Sequence, residues 1–163
     1  MLKKAISVCI VVLIAAGILV IPVQSGLLVT DYEGQPYHFI PWDTDQVTIG
    51  WRHSVELTPW KETYHITDTN ELSFESTMYK SYGAGTPDTD GDVEFLPNEF
   101  IQVTGIERNI PCFSLYYVPI SQYYLEMESE KYPLSEFVPD YTSVQIQFKT
   151  LRVYEWLRLK VFR

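Results

Sequence analysis

Three stretches of this chain alternate apolar and polar residues with a period of two, and that pattern limits what the chain can fold into. QVTIGWRH (46–53) puts Val47, Ile49 and Trp51 on one side, and KETYHITD (61–68) puts Tyr64 and Ile66 together. ELSFESTMY (71–79) groups Leu72, Phe74 and Met78, with Glu71, Ser73 and Glu75 opposite. Successive side chains of a strand point to opposite faces, so such alternation gives one buried face and one wet face. Weaker strand-like runs lie at 27–31, 36–40, 100–106, 112–118, 122–127 and 143–149, with Pro and Gly punctuating the gaps. The expected fold is all-β, an antiparallel β-sandwich or barrel-like domain. The last segment, TLRVYEWLRLKVFR (150–163), is open to two readings: as a helix its apolar residues scatter around the whole circumference, and the strand reading is preferred. Leu151, Val153, Leu157, Leu159 and Val161 then share one face, and Arg152, Tyr154, Trp156, Arg158, Lys160 and Phe162 form a basic, aromatic face opposite.

Before this β-rich part comes AISVCIVVLIAAGILVIPV (5–23), about 19 residues that would make roughly 28 Å of helix. Lys3 and Lys4 precede it, and Asp31 and Glu33 follow. The positive-inside rule keeps the N-terminus cytoplasmic and sends the rest across. The expected division is a membrane anchor over 1–25 and an extracytoplasmic β-domain over 26–163. A cleaved signal peptide ending at Val23-Gln24-Ser25 is the rival reading, against which stands an apolar core longer than the usual ~7–15 residues.

Net charge −9 leaves no broad basic surface to displace counterions from nucleic acid. The hydrophobic content of 46% supports a core without disulfide staples. Of the two cysteines, Cys9 lies in the apolar run and Cys112 in the exported part, so no internal disulfide is expected. Cys112, between Pro111 and Phe113, reads as a buried, inert thiol.

GWRHSVELTPWKETY (50–64) holds residue types found in hydrolase sites, but parity argues against a Ser–His pair. His53 shares the face of Val47, Ile49 and Trp51, whereas Ser54 points the other way. Glu62 shares parity with Tyr64 and Ile66, and the short LTPW link makes the two strands a hairpin. His53 and Glu62 are therefore expected to hydrogen-bond on its inner face, as a structural or ligand-binding pair. Gly83 and Gly85 of SYGAGTP (81–87) complete that candidate cluster as a tight turn, without the Lys and Ser/Thr of a phosphate loop. DTDGD (88–92) offers Asp88, Asp90, Asp92 and Glu99 in a calcium-loop register, but Val93 stands where glycine is required and Pro97 intrudes. No metal, cofactor or catalytic constellation is expected.

His53-Ser54-Val55, Pro59, Glu62 and Tyr82-Gly83-Ala84-Gly85-Thr86-Pro87 together resemble the pattern of the DUF1850 family, small exported proteins of unknown biochemical function. The likeness is specific over about 46–87. Members are commonly encoded beside TAXI-type tripartite ATP-independent periplasmic (TRAP) transporters. The resemblance thus implies a non-catalytic, membrane-anchored accessory protein of such a transporter, with its permease or solute-binding protein as partner. The alternative is an independent small-ligand or metal-binding β-domain using the His53/Glu62 region.

Overall fold

A computed structural model describes residues 2–42, 44, 46–80 and 90–161. Helix α1 spans Leu2–Leu19, and the strands after it build two sheets. The smaller sheet holds β1 (Pro22–Thr30), β2 (Pro36–Pro41), β8 (Phe113–Tyr117) and β11 (Thr142–Arg152), in the order β2-β1-β11-β8. The larger holds β3 (Gln46–Arg52), β4 (Pro59–Ile66), β5 (Leu72–Tyr79), β6 (Asp92–Phe95), β7 (Ile101–Ile110), β9 (Tyr124–Met127) and β10 (Glu130–Pro133). Its order is β10-β9-β3-β4-β5-β7-β6. Every strand pairing between described residues is antiparallel. One apolar core joins the inner faces: Leu27, Val29 and Ile146 from the smaller sheet meet Ile49, Phe74 and Leu125 from the larger.

The alternation in β3 and β4 is realised as read. Val47 lies opposite Tyr64, Ile49 opposite Glu62 and Trp51 opposite Trp60, all on the inner face. In β5 the alternation breaks. The ladder shifts register between Phe74 and Ser76, so Thr77 and Tyr79 are buried and Met78 leaves the Leu72–Phe74 face. A β-bulge inserts one residue and reverses the parity of everything after it, which strict alternation cannot anticipate. Gly50 serves packing: a Cβ there would run into the Tyr124 ring from β9. Strands β6 and β10, four residues each, carry no alternation long enough to reveal them.

Expectations at both ends of the chain are corrected. The apolar run over 5–23 is divided, because α1 ends at Leu19 and Pro22 opens β1. Proline has no N–H with which to continue the helix, and Ile21 N–H closes the last turn on the Ile18 carbonyl at 3.2 Å. The apolar helical part, residues 5–19, measures about 22 Å against a hydrocarbon core of about 30 Å. Among the described residues no helix is long and apolar enough to cross a membrane.

The C-terminal segment is a strand only to Arg152. Helix α2 then runs over Val153–Val161. The ladder stops there because Arg152 pairs with Pro22, the first residue of β1. Glu155 fixes the switch, since its Oε2 accepts the Arg152 N–H at 2.9 Å, as the third helical residue does in a capping box. Lys149 Nζ lies 2.8 Å from Glu155 Oε1. Burial opposes ionisation of this carboxyl, but its hydrogen bonds to Lys149 and the Arg152 amide outweigh that and lower its pKa.

Strand β1 also crosses the division at 25/26. Gln24 and Ser25 pair with Leu151 and Thr150, the Ser25 and Thr150 hydroxyls are 2.8 Å apart, and Ser25 O accepts Trp42 N–H. A chain beginning at Pro22 is expected to give a β-type circular dichroism spectrum and to melt several degrees above one beginning at Gly26. Each lost hydrogen bond contributes about 0.5–1.5 kcal/mol. Equal melting curves would mean that residues 22–25 add nothing to the sandwich.

Candidate functional site

The hairpin joining β3 to β4 carries the sequence-predicted residues. Its ends close through His53 N–H to Thr58 O at 2.8 Å, and Leu57 N–H bonds His53 O at 2.9 Å. Leu57 takes a left-handed backbone, φ 55°, to end that helical turn. His53 Nδ1 accepts the Glu56 N–H at 3.1 Å and the Val55 N–H at 3.3 Å. A capping side chain uses its acceptor in the same way on the second and third amides of a helix. The imidazole also stacks on Trp60, with centroids 6.0 Å apart.

This corrects the expected His53–Glu62 hydrogen bond. His53 lies in the turn just beyond β3 and stacks on Trp60, whereas Glu62 sits opposite Ile49, with Trp60 between it and the turn. Nδ1 is engaged by the turn amides, and Glu62 Oε2 accepts the Tyr64 hydroxyl at 2.6 Å. Ser54 is exposed in the turn, and no hydrogen bond among the described residues joins it to His53. Gly83, Gly85 and the rest of 81–89, including Asp88, lie outside the described residues.

Replacing His53 by alanine is expected to destabilise the domain by about 0.5–2 kcal/mol, the usual effect of losing a cap, while asparagine retains most of the stability through its side-chain oxygen. Urea unfolding of the two variants measures this. Equal losses would show that stacking on Trp60, rather than the acceptor, accounts for His53.

Around Glu62 the inter-sheet space is aromatic. Trp51 stacks on Trp60 at 5.6 Å and on Tyr123 at 5.4 Å, and Trp60 continues onto Tyr79 at 4.7 Å. Tyr64 stacks on Phe74 at 5.1 Å and meets the edge of Phe113, from the other sheet, at 5.9 Å. Burial, then the charge and hydrogen bond of Glu62, raise the Tyr64 pKa far above the usual phenol value, although Arg108 opposes this. Burial and the Glu62 charge push Tyr123 up to about 12. Both phenols therefore stay protonated near neutral pH, and Tyr64 donates to Glu62.

The other candidates lie apart. Glu99 pairs with Lys80 at 2.7 Å, which lowers its pKa, rather than joining Asp90 and Asp92 in a loop. His38 stacks on Phe137 at 4.5 Å, and His65 Nδ1 lies 4.0 Å from Glu75. No group of three or more His, Cys, Asp or Glu among the described residues has metal-binding placement. Cys112 is half-buried rather than buried, with Sγ 3.6 Å from the Ser114 hydroxyl.

The sequence reading missed a second feature, on the outer face of the smaller sheet. There α2 packs against β1 and β11 and, with β2, lines a half-open groove of about 940 Å³. Glu155 in the first turn and Arg158 and Lys160 in the last are the signals for α2 that the strand reading passed over.

These features define a class: a small antiparallel β-sandwich with a carboxylate–phenol pair enclosed by aromatic rings, flanked by a helix at each end of the chain. The chain belongs to the family described as "Domain of unknown function (DUF1850)", whose model matches residues 47–134. That span runs from β3 through β10 and contains the whole hairpin site. No curated protein and no solved structure matches the chain.

Proposed function

We propose that this chain is a membrane-anchored, extracytoplasmic accessory protein of a TAXI-type TRAP transporter, acting by docking on the permease or the solute-binding protein and not by catalysis. The observation that carries the membrane part is the exposure of α1. Its large apolar residues face outward on every side, from Leu19 at 42% to Leu13 at 70%. A helix that is apolar all round needs an apolar surrounding, and no described part of the sandwich encloses this one. For its shorter apolar length, snorkelling of Lys3 and Lys4 and local bilayer thinning supply the accommodation. The transporter part rests on the family resemblance. The test is affinity capture of the tagged full chain from detergent-solubilised membranes. The permease or the solute-binding protein is expected in stoichiometric amount, and recovery of the chain without either would overturn the docking role.

A second reading is favoured by Glu62, a carboxylate facing the inter-sheet space among Trp51, Tyr64 and Tyr123. That arrangement suits a small cation, through charge and through the ring faces. A thermal-shift screen with divalent ions and small organic cations tests it. A shift abolished by Glu62→Gln supports it, and no shift with any of them removes it.

A further inference from the structure

We propose that the groove between α2 and the outer face of the smaller sheet binds one anionic phospholipid, its acyl chain on the apolar floor and its phosphate at Arg158 and Lys160. The inference rests on the membrane-anchor reading for the source of the lipid. Except for Tyr132, the residues lining the groove fall outside the family match, so the groove is separate from the hairpin site.

The floor is built by register. Leu28 lies opposite Phe39 on β2 and Gln147 on β11, and shares a face with Gln24 and Leu151. That face is the reverse of the one carrying Leu27 and Val29, which belong to the core. Outward positions of a sandwich are ordinarily polar, yet Leu28 and Leu151 stand there already covered, at 7% and 1% exposure, and the half-buried Phe39 beside Leu28 gives the groove its accessible apolar surface. Trp156 and Leu159 of α2 supply the opposite wall. The volume is at the upper end of the ~300–1,000 Å³ of small-molecule sites, and the half-open shape suits a chain that enters from one side.

The rim has the wrong sign for this protein, and that selects the ligand. The chain carries net charge −9, yet the ionisable groups of fixed charge lining the groove are Lys149, Arg158, Lys160 and Glu155. Lys149 and Glu155 neutralise each other at 2.8 Å. Arg158 and Lys160 remain, and Lys160 holds its ammonium 4.5 Å from the Trp156 ring centre. Arginine and lysine at an apolar cleft are the usual recognition elements for a phosphate.

Location adds a third support. Val153 N–H, at the start of α2, bonds Ile21 O at 3.0 Å, two residues beyond α1. If α1 enters a bilayer, α2 starts at its surface, where Trp, Tyr, Arg and Lys are enriched. An acyl chain then reaches the floor without crossing water.

Native mass spectrometry of the full chain in detergent tests this, with phosphatidylglycerol and phosphatidylcholine of matched chains added in turn. A 1:1 adduct is expected with phosphatidylglycerol, at least tenfold tighter than with phosphatidylcholine. The double substitution Arg158→Glu, Lys160→Glu should remove that preference while leaving the melting temperature within a degree or two, since both side chains are exposed. Equal binding of the two lipids, or a preference that survives the double substitution, would overturn the proposal. Membrane fractionation of the same samples separates the two readings. Wild-type chain in the soluble fraction that still selects phosphatidylglycerol refutes the anchor and supports the groove. Wild-type chain in the membrane fraction without selectivity refutes the groove alone.

Discussion

Replacing Trp60 by alanine is expected to cost about 3–5 kcal/mol, and for a domain of this size to lower the melting temperature by on the order of 10 °C. Trp60 lies at the centre of the stack, with Trp51, His53 and Tyr79 against it. Its Nε1–H donates to Thr77 Oγ1 at 3.0 Å, and Thr77 in turn donates to Lys61 O at 3.1 Å. Alanine removes the ring contacts, opens a cavity between three aromatic neighbours and leaves Thr77 Oγ1 without its donor. Phenylalanine keeps most of the stacking and loses only the indole N–H, so its cost should be nearer the ~1–3 kcal/mol of one unsatisfied buried group. Calorimetry of the two variants measures the difference. A mild Trp60→Ala would show that the stack is not what joins the hairpin to the core.

The second large effect is expected in alkali. A folded-state pKa raised above the unfolded value gives stability that is complete below the unfolded value, about 10 for tyrosine, and is lost as pH rises towards the folded one. Tyr123, raised to about 12, and Tyr64, raised further, both obey this sign. Each should remove about 1.4 kcal/mol per pH unit above about pH 10, so that near pH 12 these two phenols account for a loss of roughly 5 kcal/mol. Tyr64→Phe should make the slope between pH 10 and 12 shallower, with Tyr123, Tyr117 and Tyr124, also raised by burial, supplying the rest. At neutral pH it should cost about 1–3 kcal/mol, because Glu62 loses a donor. Tyr64→Phe and Glu62→Ala should be strongly non-additive, whereas His53→Ala and Glu62→Ala, which share no hydrogen bond, should be close to additive. Urea unfolding from pH 8 to 12 reads all of these. A slope unchanged in Tyr64→Phe would mean that the phenol is not held by burial and Glu62.

Much of the fold was legible because strands betray themselves when one face is wet. Val47, Ile49, Trp51, Tyr64, Leu72 and Phe74 all lie inside, where their alternation puts them. Parity was lost at Met78, since a bulge leaves no periodic mark in the residues that form it. The C-terminal helix was missed for a different reason. Apolar residues lie all around α2, and helix wins there because the ladder ends at Arg152 and Glu155 caps the turn beyond it. The hairpin site was half legible. Parity assigned His53 and Glu62 a common side, but His53 lies in the turn beyond the end of β3, and parity names no partner. The turn makes His53 a cap, and the neighbour two residues along β4 makes Tyr64 the donor to Glu62. The groove was not legible at all, because it depends on a helix that crosses back over a sheet face and on pairings far apart in the chain.

That α1 holds the sandwich at a membrane, with the β-domain outside, is tested most directly by labelling with a membrane-impermeant maleimide. Cys9 and Cys112 are first replaced by serine. A single cysteine is then placed in the full chain, either as Ser54→Cys in the exposed hairpin turn or as Lys3→Cys in the first turn of α1, ahead of its apolar part. Ser54→Cys is expected to be labelled in intact spheroplasts, and Lys3→Cys only after the membrane is permeabilised. Labelling of both only after lysis, or of both alike in intact spheroplasts, would contradict an anchored, outward-facing domain.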